Sequence, residues 1–233
     1  MNIDIMNLKE FYESPISINV YSIVRNMLNR LRNVSQNNKT LFLGFGAPYA
    51  DERKDEFLLM QAHIGVLAWP NSKNNRALLS YENDWPFADH VFDEIIIIHG
   101  LEYSQHAGNL LAECYRCLKP EGRLSVVVPN KRGIWVRSDK NPFGFGQHFT
   151  LTQLSELLKK FDFIPVHTVR GLYSFPFSTV LGSLGSWIFE CIASRTLQKF
   201  SGLVGIAAIK RVYAGIPAKK ILKDQRLIIT QPA

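Results

Sequence analysis

Four consecutive isoleucines, at positions 95–98, are the feature that most constrains how this chain can fold. They lie in the stretch EIIIIHG, residues 94–100, where the apolar run is not interrupted by polar side chains. A strand with one face in water would alternate, whereas an unbroken apolar run is typical of a parallel strand that is buried on both faces. We therefore predict a central strand of a parallel sheet at 94–100.

Further strand and helix patterns surround this run in an alternating order. The strand patterns occupy residues 40–46, 57–60, 77–79, 123–130, 163–173 and 203–213, and the helical patterns occupy 18–31, 104–118 and 150–161. This alternation indicates a Rossmann-like α/β fold with a doubly wound, mostly parallel sheet, in which the two late strands form a pair at one edge and supply an antiparallel edge strand. We expect a single domain over 1–233, with an N-terminal helical extension over 1–35 and a helical insertion over 172–202.

Composition and charge bear on two expectations: whether the protein binds nucleic acid, and in which cellular compartment it works. The formal net charge of +7 would attract polyanions such as nucleic acids. The basic residues are scattered, however, and aromatic residues do not interleave with their small clusters at 131–137 and 219–223, so we do not expect a nucleic-acid substrate. The first residues do not read as a secretory signal and the three cysteines do not suggest a disulfide framework, so we expect a cytoplasmic protein.

One long segment, residues 171–189, contains no charged side chain. Its length approaches that of a membrane span, but Pro176 and several glycines and serines make it a poor transmembrane helix. We expect a helical insertion that lies on the domain. A contact with a protein partner or a membrane surface through 172–202 is the alternative.

A spaced motif in residues 81–130 carries the strongest functional signal. It comprises Asp84, WPF at 85–87, FD at 92–93 and LKPEG at 118–122. This pattern resembles that of the type 11 branch of class I S-adenosylmethionine-dependent methyltransferases, and the resemblance covers about residues 40–169. It implies a class I methyltransferase fold, S-adenosylmethionine as the cofactor, and methyl transfer to a small-molecule or lipid-like acceptor.

The resemblance places the cofactor at the carboxyl ends of the first strands. Gly44 and Gly46 lack a Cβ, which permits a close backbone approach to the amino-acid part of the cofactor. The family has one acid in the first strand and another, a ribose ligand, at the end of the second. This sequence has Phe42 and Gln61 at those positions, so Gln61 would bind the ribose through an uncharged hydrogen bond.

Two acids and a tryptophan follow the third strand. Glu82 and Asp84 stand where the family has an acidic residue near the adenine, and Trp85 could offer that base an aromatic face. A solvated turn beside a tryptophan in the core is the alternative interpretation of the same residues.

Two histidines are the catalytic candidates. His99 follows the isoleucine strand, where ligands bind in open α/β sheets, and we predict that it contacts the cofactor and acts as a general base. The alternative is a histidine that hydrogen-bonds to the backbone and shapes the site, and Glu102 and Tyr103 lie just beyond it. His148 lies in the glycine-rich segment 141–150, which is either a lid over the site or a plain connection.

Two further hypotheses complete the sequence-based picture. Cys114 and Cys117 form a C-x-x-C, but they fall within a predicted helix beside leucines and no second pair completes a metal site, so we expect packing and no metal. The alternative to an enzyme is a methyltransferase-fold protein without catalysis, which would act as an interaction or assembly module through the uncharged segment.

Overall fold

A seven-stranded sheet forms the centre of the computed structural model, which describes residues 4–32, 38–70, 74–138, 141–173 and 200–211. The strands are β1 (Thr40–Gly44), β2 (Glu56–Gln61), β3 (Ala77–Ser80), β4 (Phe92–Ile98), β5 (Leu118–Pro129), β6 (Phe163–Gly171) and β7 (Leu203–Lys210). Their order is β3-β2-β1-β4-β5-β7-β6. Strands β1 to β5 pair in parallel, and β7 runs antiparallel to both β5 and β6. The predicted Rossmann-like fold is confirmed.

The isoleucine strand is buried on both faces, as predicted. Ile96 and Ile98 belong to the core cluster on one face of the sheet, and Ile95 and Ile97 belong to the cluster on the other. None of the four is more than 1% exposed. Because successive side chains of a strand point to opposite faces, an unbroken apolar run is what a two-sided core requires.

Within the described ranges, four α-helices cover the two faces of the sheet. Helices α1 (Ile5–Glu13) and α2 (Ser17–Leu31) contribute to one core cluster, and α3 (Ala107–Cys117) and α4 (Leu151–Lys160) contribute to the other. In α2 the buried apolar residues recur at 20, 24, 27, 28 and 31, which is the spacing that predicted this helix. Each buried aliphatic side chain of this kind contributes about 1.5–3 kcal/mol.

Helix α1 lies in the predicted N-terminal helical extension over 1–35, but the apolar pattern predicted no separate helix at its position. Its only buried residues are Ile5 and Leu8, so its apolar periodicity is too short to stand out in the sequence. A capping box starts it: the Asp4 side chain accepts from the backbone N–H groups of Met6 and Asn7, and the Asn7 side chain accepts from the N–H of Asp4. Local hydrogen bonds therefore define the start of a helix that the apolar pattern does not indicate.

Helix α3 ends at Cys117, directly before LKPEG, and this motif opens β5, so the strand begins five residues before the predicted start at 123. Leu118 already pairs with Phe92 of β4, and the register shifts between Phe92 and Glu94. Pro120 lacks a backbone N–H and Glu121 has φ +59°, so this start of the strand is irregular.

Most of the predicted insertion, residues 174–199, lies outside the described residues, so its structure and the assembly-module alternative that depends on it stay predictions. Within the described ranges, no helix is long and apolar enough to cross a membrane. Cys114 and Cys117 are buried free thiols in α3, which confirms the packing interpretation. Burial raises the pKa of Cys117 to about 11 and that of Cys114 well above its ordinary value.

Candidate functional site

The carboxyl ends of β1 and β4 form the topological switch point of the sheet. From β1 the order runs outward to β2 and β3 on one side and to β4 and β5 on the other, and ligands of open α/β sheets bind at such a point. Helix α1 lies across this edge. The backbone N–H of Ile5 donates to the carbonyl oxygen of Ile64 at 2.9 Å, which ties the helix to the loop after β2.

Gly44 and Gly46 are required by contacts inside the protein. Gly44 has φ +86°, and a Cβ at this position would overlap the carbonyl oxygen of Ile98. A Cβ on Gly46 would lie 2.5 Å from the Cβ of Phe42. Phe42, which stands where the family has its first acid, is fully buried. Its side chain packs against Gly46, the second glycine of the loop.

Gln61 and Glu82 form a buried pair at the ends of β2 and β3. The amide Nε2 of Gln61 donates to Oε1 of Glu82 at 2.6 Å. The backbone N–H groups of Gln105 and His106 donate to Oε1 and Oε2 of the same carboxylate, at 3.0 and 2.7 Å. Each oxygen of Glu82 therefore accepts at least one hydrogen bond from the protein.

This pair explains why an uncharged residue ends β2. An acid at position 61 would place a second carboxylate against that of Glu82, so the negative charge of the site comes from Glu82, two residues after β3, instead. Because the Gln61 amide donates to a carboxylate, its own Oε1 is polarised into a stronger acceptor. That oxygen is buried and has no partner.

His99 is the centre of a buried hydrogen-bond chain. Its Nδ1 lies 3.1 Å from Oε1 of Glu102, its Nε2 lies 2.9 Å from the hydroxyl of Tyr12, and the hydroxyl of Tyr49 donates to that of Tyr12 at 3.0 Å. Burial raises the pKa of Tyr12 and of Tyr49 far above the ordinary value, so both hydroxyls keep their protons. Because the Tyr12 oxygen already accepts from Tyr49, we assign its own O–H to Nε2 of His99, and the Nδ1–H to the carboxylate of Glu102, which can only accept.

The backbone and the surroundings of His99 are also unusual. Its φ of +50° lies in the left-handed region, which residues other than glycine seldom adopt and which recurs at functional sites. The ring centroids of Phe143, Tyr12 and Tyr103 lie 5.2, 5.7 and 6.3 Å from that of His99. The imidazole thus has aromatic neighbours from α1, from its own loop and from the 142–144 turn.

Unpartnered polar atoms concentrate at this edge. Among the described residues, four buried side-chain oxygens have no hydrogen-bond partner, and three of them are Gln61 Oε1, Glu102 Oε2 and Ser104 Oγ. These three belong to the last residue of β2 and the loop after β4. A buried polar atom without a partner costs about 1–3 kcal/mol. A ligand that brings hydrogen-bond donors would remove that cost.

The remaining predicted site residues lie elsewhere. Trp85 is 4% exposed and belongs to the core cluster that includes α3, and its backbone N–H donates to Glu113, as the core interpretation of this tryptophan expects. The side chain of Asp84 is exposed. Nε2 of His148 donates to the carbonyl oxygen of Phe143 at 2.9 Å, so His148 braces its own loop and does not join the chain through His99.

Tyr12 and Tyr49 are site residues that the sequence did not reveal. Tyr12 lies on a helix that the apolar pattern did not predict, and Tyr49 follows the glycine loop after β1 without a functional pattern of its own. The stretch FYE at 11–13 contains Tyr12, but it matches no functional motif from which its role could have been predicted.

A protein-family model described as a methyltransferase domain matches residues 6–168, which is more than half of the chain. This protein belongs to the methyltransferase-domain family. The matched range includes both chains of hydrogen bonds described above, from Tyr12 to His106. The resemblance to class I methyltransferases is thereby confirmed. No curated protein matches the sequence.

Solved structures of other methyltransferases share the fold. A Thermotoga maritima S-adenosylmethionine-dependent methyltransferase, described as a possible histamine N-methyltransferase, is 16% identical with a TM-score of 0.63, over 89% of this chain and 96% of the other. A chain of the Haloferax volcanii complex between the Trm112 methyltransferase activator and a methyltransferase is 15% identical with a TM-score of 0.60, over 84% and 92%. Haemonchus contortus phosphoethanolamine N-methyltransferase 2, in complex with S-adenosyl-L-methionine, is 15% identical with a TM-score of 0.52, over 83% and 53%.

Proposed function

We propose that this methyltransferase-family protein binds S-adenosylmethionine at the switch point between β1 and β4 and transfers its methyl group to a small-molecule or lipid-like acceptor. The observation that carries the proposal is Oε1 of Gln61. It is a buried, unpartnered acceptor at the end of β2, where class I methyltransferases bind the ribose of the cofactor. A ribose supplies two hydroxyl donors, so the chemistry of this oxygen fits the group that the family implies.

If Gln61 binds the ribose, the two acids near it, Glu82 and Asp84, have different roles. Glu82 would orient Gln61, because its carboxylate accepts from the Gln61 amide and is itself held by the backbone N–H groups of Gln105 and His106. Asp84 lines an open groove of 320 Å³ with Ala62 at the end of β3, so its carboxylate would be the partner for the adenine amino group.

When bound, S-adenosylmethionine supplies a methyl group on a positively charged sulfur. The protein supplies a proton acceptor: Glu102 holds the proton of His99 on Nδ1, which leaves the lone pair on Nε2. Tyr12 now donates to that lone pair, and an acceptor in place of the Tyr12 hydroxyl would lose its proton to the same atom. His148 acts as a positioning residue, because it holds the Phe143 loop whose ring contacts His99.

The choice of a small acceptor has support from the neighbours in fold. Histamine and phosphoethanolamine, which appear in the names of two of them, are small molecules. These names describe those proteins, and for this chain they support the acceptor's size only.

Isothermal titration calorimetry with S-adenosylmethionine and S-adenosylhomocysteine tests the proposal. We expect one saturable site in the wild type and a loss of about tenfold in affinity for Gln61→Leu, since one hydrogen bond of about 1.4 kcal/mol disappears. Gln105→Leu, at an exposed glutamine, is the matched control and should bind as the wild type does. No heat with either compound at millimolar concentration, or equal affinity in Gln61→Leu, would contradict the proposal.

A further inference from the structure

We propose that the methyl acceptor is an organic amine, which binds as a cation to Glu102 beside His99. This inference rests on the proposed function and narrows its acceptor class. It starts from two features of the same place: the unsatisfied oxygen of Glu102 and the aromatic rings that surround its partner His99.

Glu102 is a buried carboxylate with unused capacity. It is 2% exposed, its Oε1 accepts from His99, and its Oε2 has no hydrogen-bond partner. Across the described ranges, its only ion-pair contact within 4.0 Å is His99 itself. A carboxylate in this position is stabilised best by a donor that also carries positive charge, because charge-assisted hydrogen bonds are about twice as strong as neutral ones.

The surroundings favour an organic cation over a metal or a lysine-like partner. The rings of Tyr12, Tyr103 and Phe143 lie within 6.3 Å of the imidazole that Glu102 holds. Aromatic faces attract alkylammonium groups, and the attraction grows where water is excluded. A buried carboxylate paired with an imidazole that has aromatic neighbours is therefore suited to an ammonium group that carries apolar substituents.

A groove outside Tyr12 gives the amine a path and a place for its apolar part. It has a volume of 440 Å³, and its lining includes the rings of Tyr12, Tyr21 and Phe45 together with Ile18 and Pro48. Tyr12 separates this groove from His99, to which its hydroxyl donates. Entry of the amine displaces the Tyr12 hydroxyl, which frees Nε2 of His99 to accept a proton from the bound ammonium.

Matched ligands of equal shape test the inference. Calorimetric titrations in saturating S-adenosylhomocysteine would compare phenethylamine with 2-phenylethanol, and hexylamine with 1-hexanol. We expect each amine to bind at least about tenfold more tightly than its alcohol, since only the amine satisfies both the charge and the hydrogen bond. A wild-type ratio below about threefold, or no binding of either amine at about 10 mM, would overturn the inference.

Glu102→Gln sharpens the test. The glutamine oxygen can still accept from His99, but an NH₂ group replaces the free oxygen, so we expect the amine preference to fall to about twofold or less. Glu52→Gln, which removes one exposed charge, should keep the preference of the wild type. An amine preference that survives in Glu102→Gln overturns the inference, as does an equal loss of S-adenosylhomocysteine affinity, which would assign Glu102 to the cofactor. Failure of S-adenosylhomocysteine to bind the wild type would instead contradict the proposed function.

Discussion

Gln61→Glu would restore the acid that the family carries at the end of β2, and we predict that it destabilises this protein. The amide of Gln61 lies 2.6 Å from the carboxylate of Glu82, so the substitution would bring two carboxylates together. At that separation two charges repel by about 6 kcal/mol for an effective dielectric constant of about 20. Protonating one carboxyl at pH 7 instead costs about 4 kcal/mol, because an isolated glutamate has a pKa of about 4.3.

The folded variant would therefore hold a proton that its unfolded chain releases, and its stability should rise as the pH falls. The expected loss in the free energy of unfolding is about 4 kcal/mol at pH 7 and about 1 kcal/mol at pH 5, where a protonated carboxyl can donate to Glu82 and replace the amide. Urea denaturation followed by circular dichroism at the two pH values measures both quantities.

The matched control is Gln105→Glu, which adds the same charge at an exposed side chain and should change stability by less than about 0.5 kcal/mol at either pH. If Gln61→Glu were as stable as this control at pH 7, or if its loss did not depend on pH, the buried pair would not have the electrostatic role assigned to it.

Phe42→Asp should lower the free energy of unfolding, measured by urea denaturation, by about 3–5 kcal/mol, because it leaves a cavity and a buried charge in the sheet. A variant of normal stability with improved cofactor affinity would contradict this prediction. The hydrogen bonds of Arg116 lower the pKa of Glu113, so the stability they provide is present above about pH 4.3 and is lost as the pH falls through the lowered value. Acid unfolding of Arg116→Met should accordingly show a shallower fall in stability below about pH 4.3 than the wild type. Peptide mapping after iodoacetamide treatment should find Cys114 and Cys117 unlabelled in the native protein and labelled in urea; native labelling would refute their burial.

The elements that the sequence predicts correctly are those whose pattern is local and whose burial is uniform. The isoleucines of β4 indicate a two-sided core because each of them is buried. Helix α2 follows from an apolar spacing that extends over its 15 residues. In both cases the apolar residues that form the sequence pattern are the residues that the fold buries.

The site is harder to predict because its decisive contacts are not local. Gln61 is paired with a residue 21 positions away, and Tyr12 reaches across 87 positions to His99. In the sequence, Gln61 only marks a position where the family has an acid and this chain does not. In the fold, its amide is the donor that the carboxylate of Glu82 accepts from. Trp85 shows the opposite case, since a tryptophan in a functional motif packs in the core.

A crystal structure of the protein with S-adenosylhomocysteine tests the central claim most directly. The account predicts that the ligand lies at the carboxyl ends of β1 and β4, with a ribose hydroxyl within hydrogen-bond distance of Oε1 of Gln61 and with Glu82 still bound to Gln61, Gln105 and His106. A ribose that binds Glu82 in place of Gln61, or a ligand located away from this edge of the sheet, would contradict it.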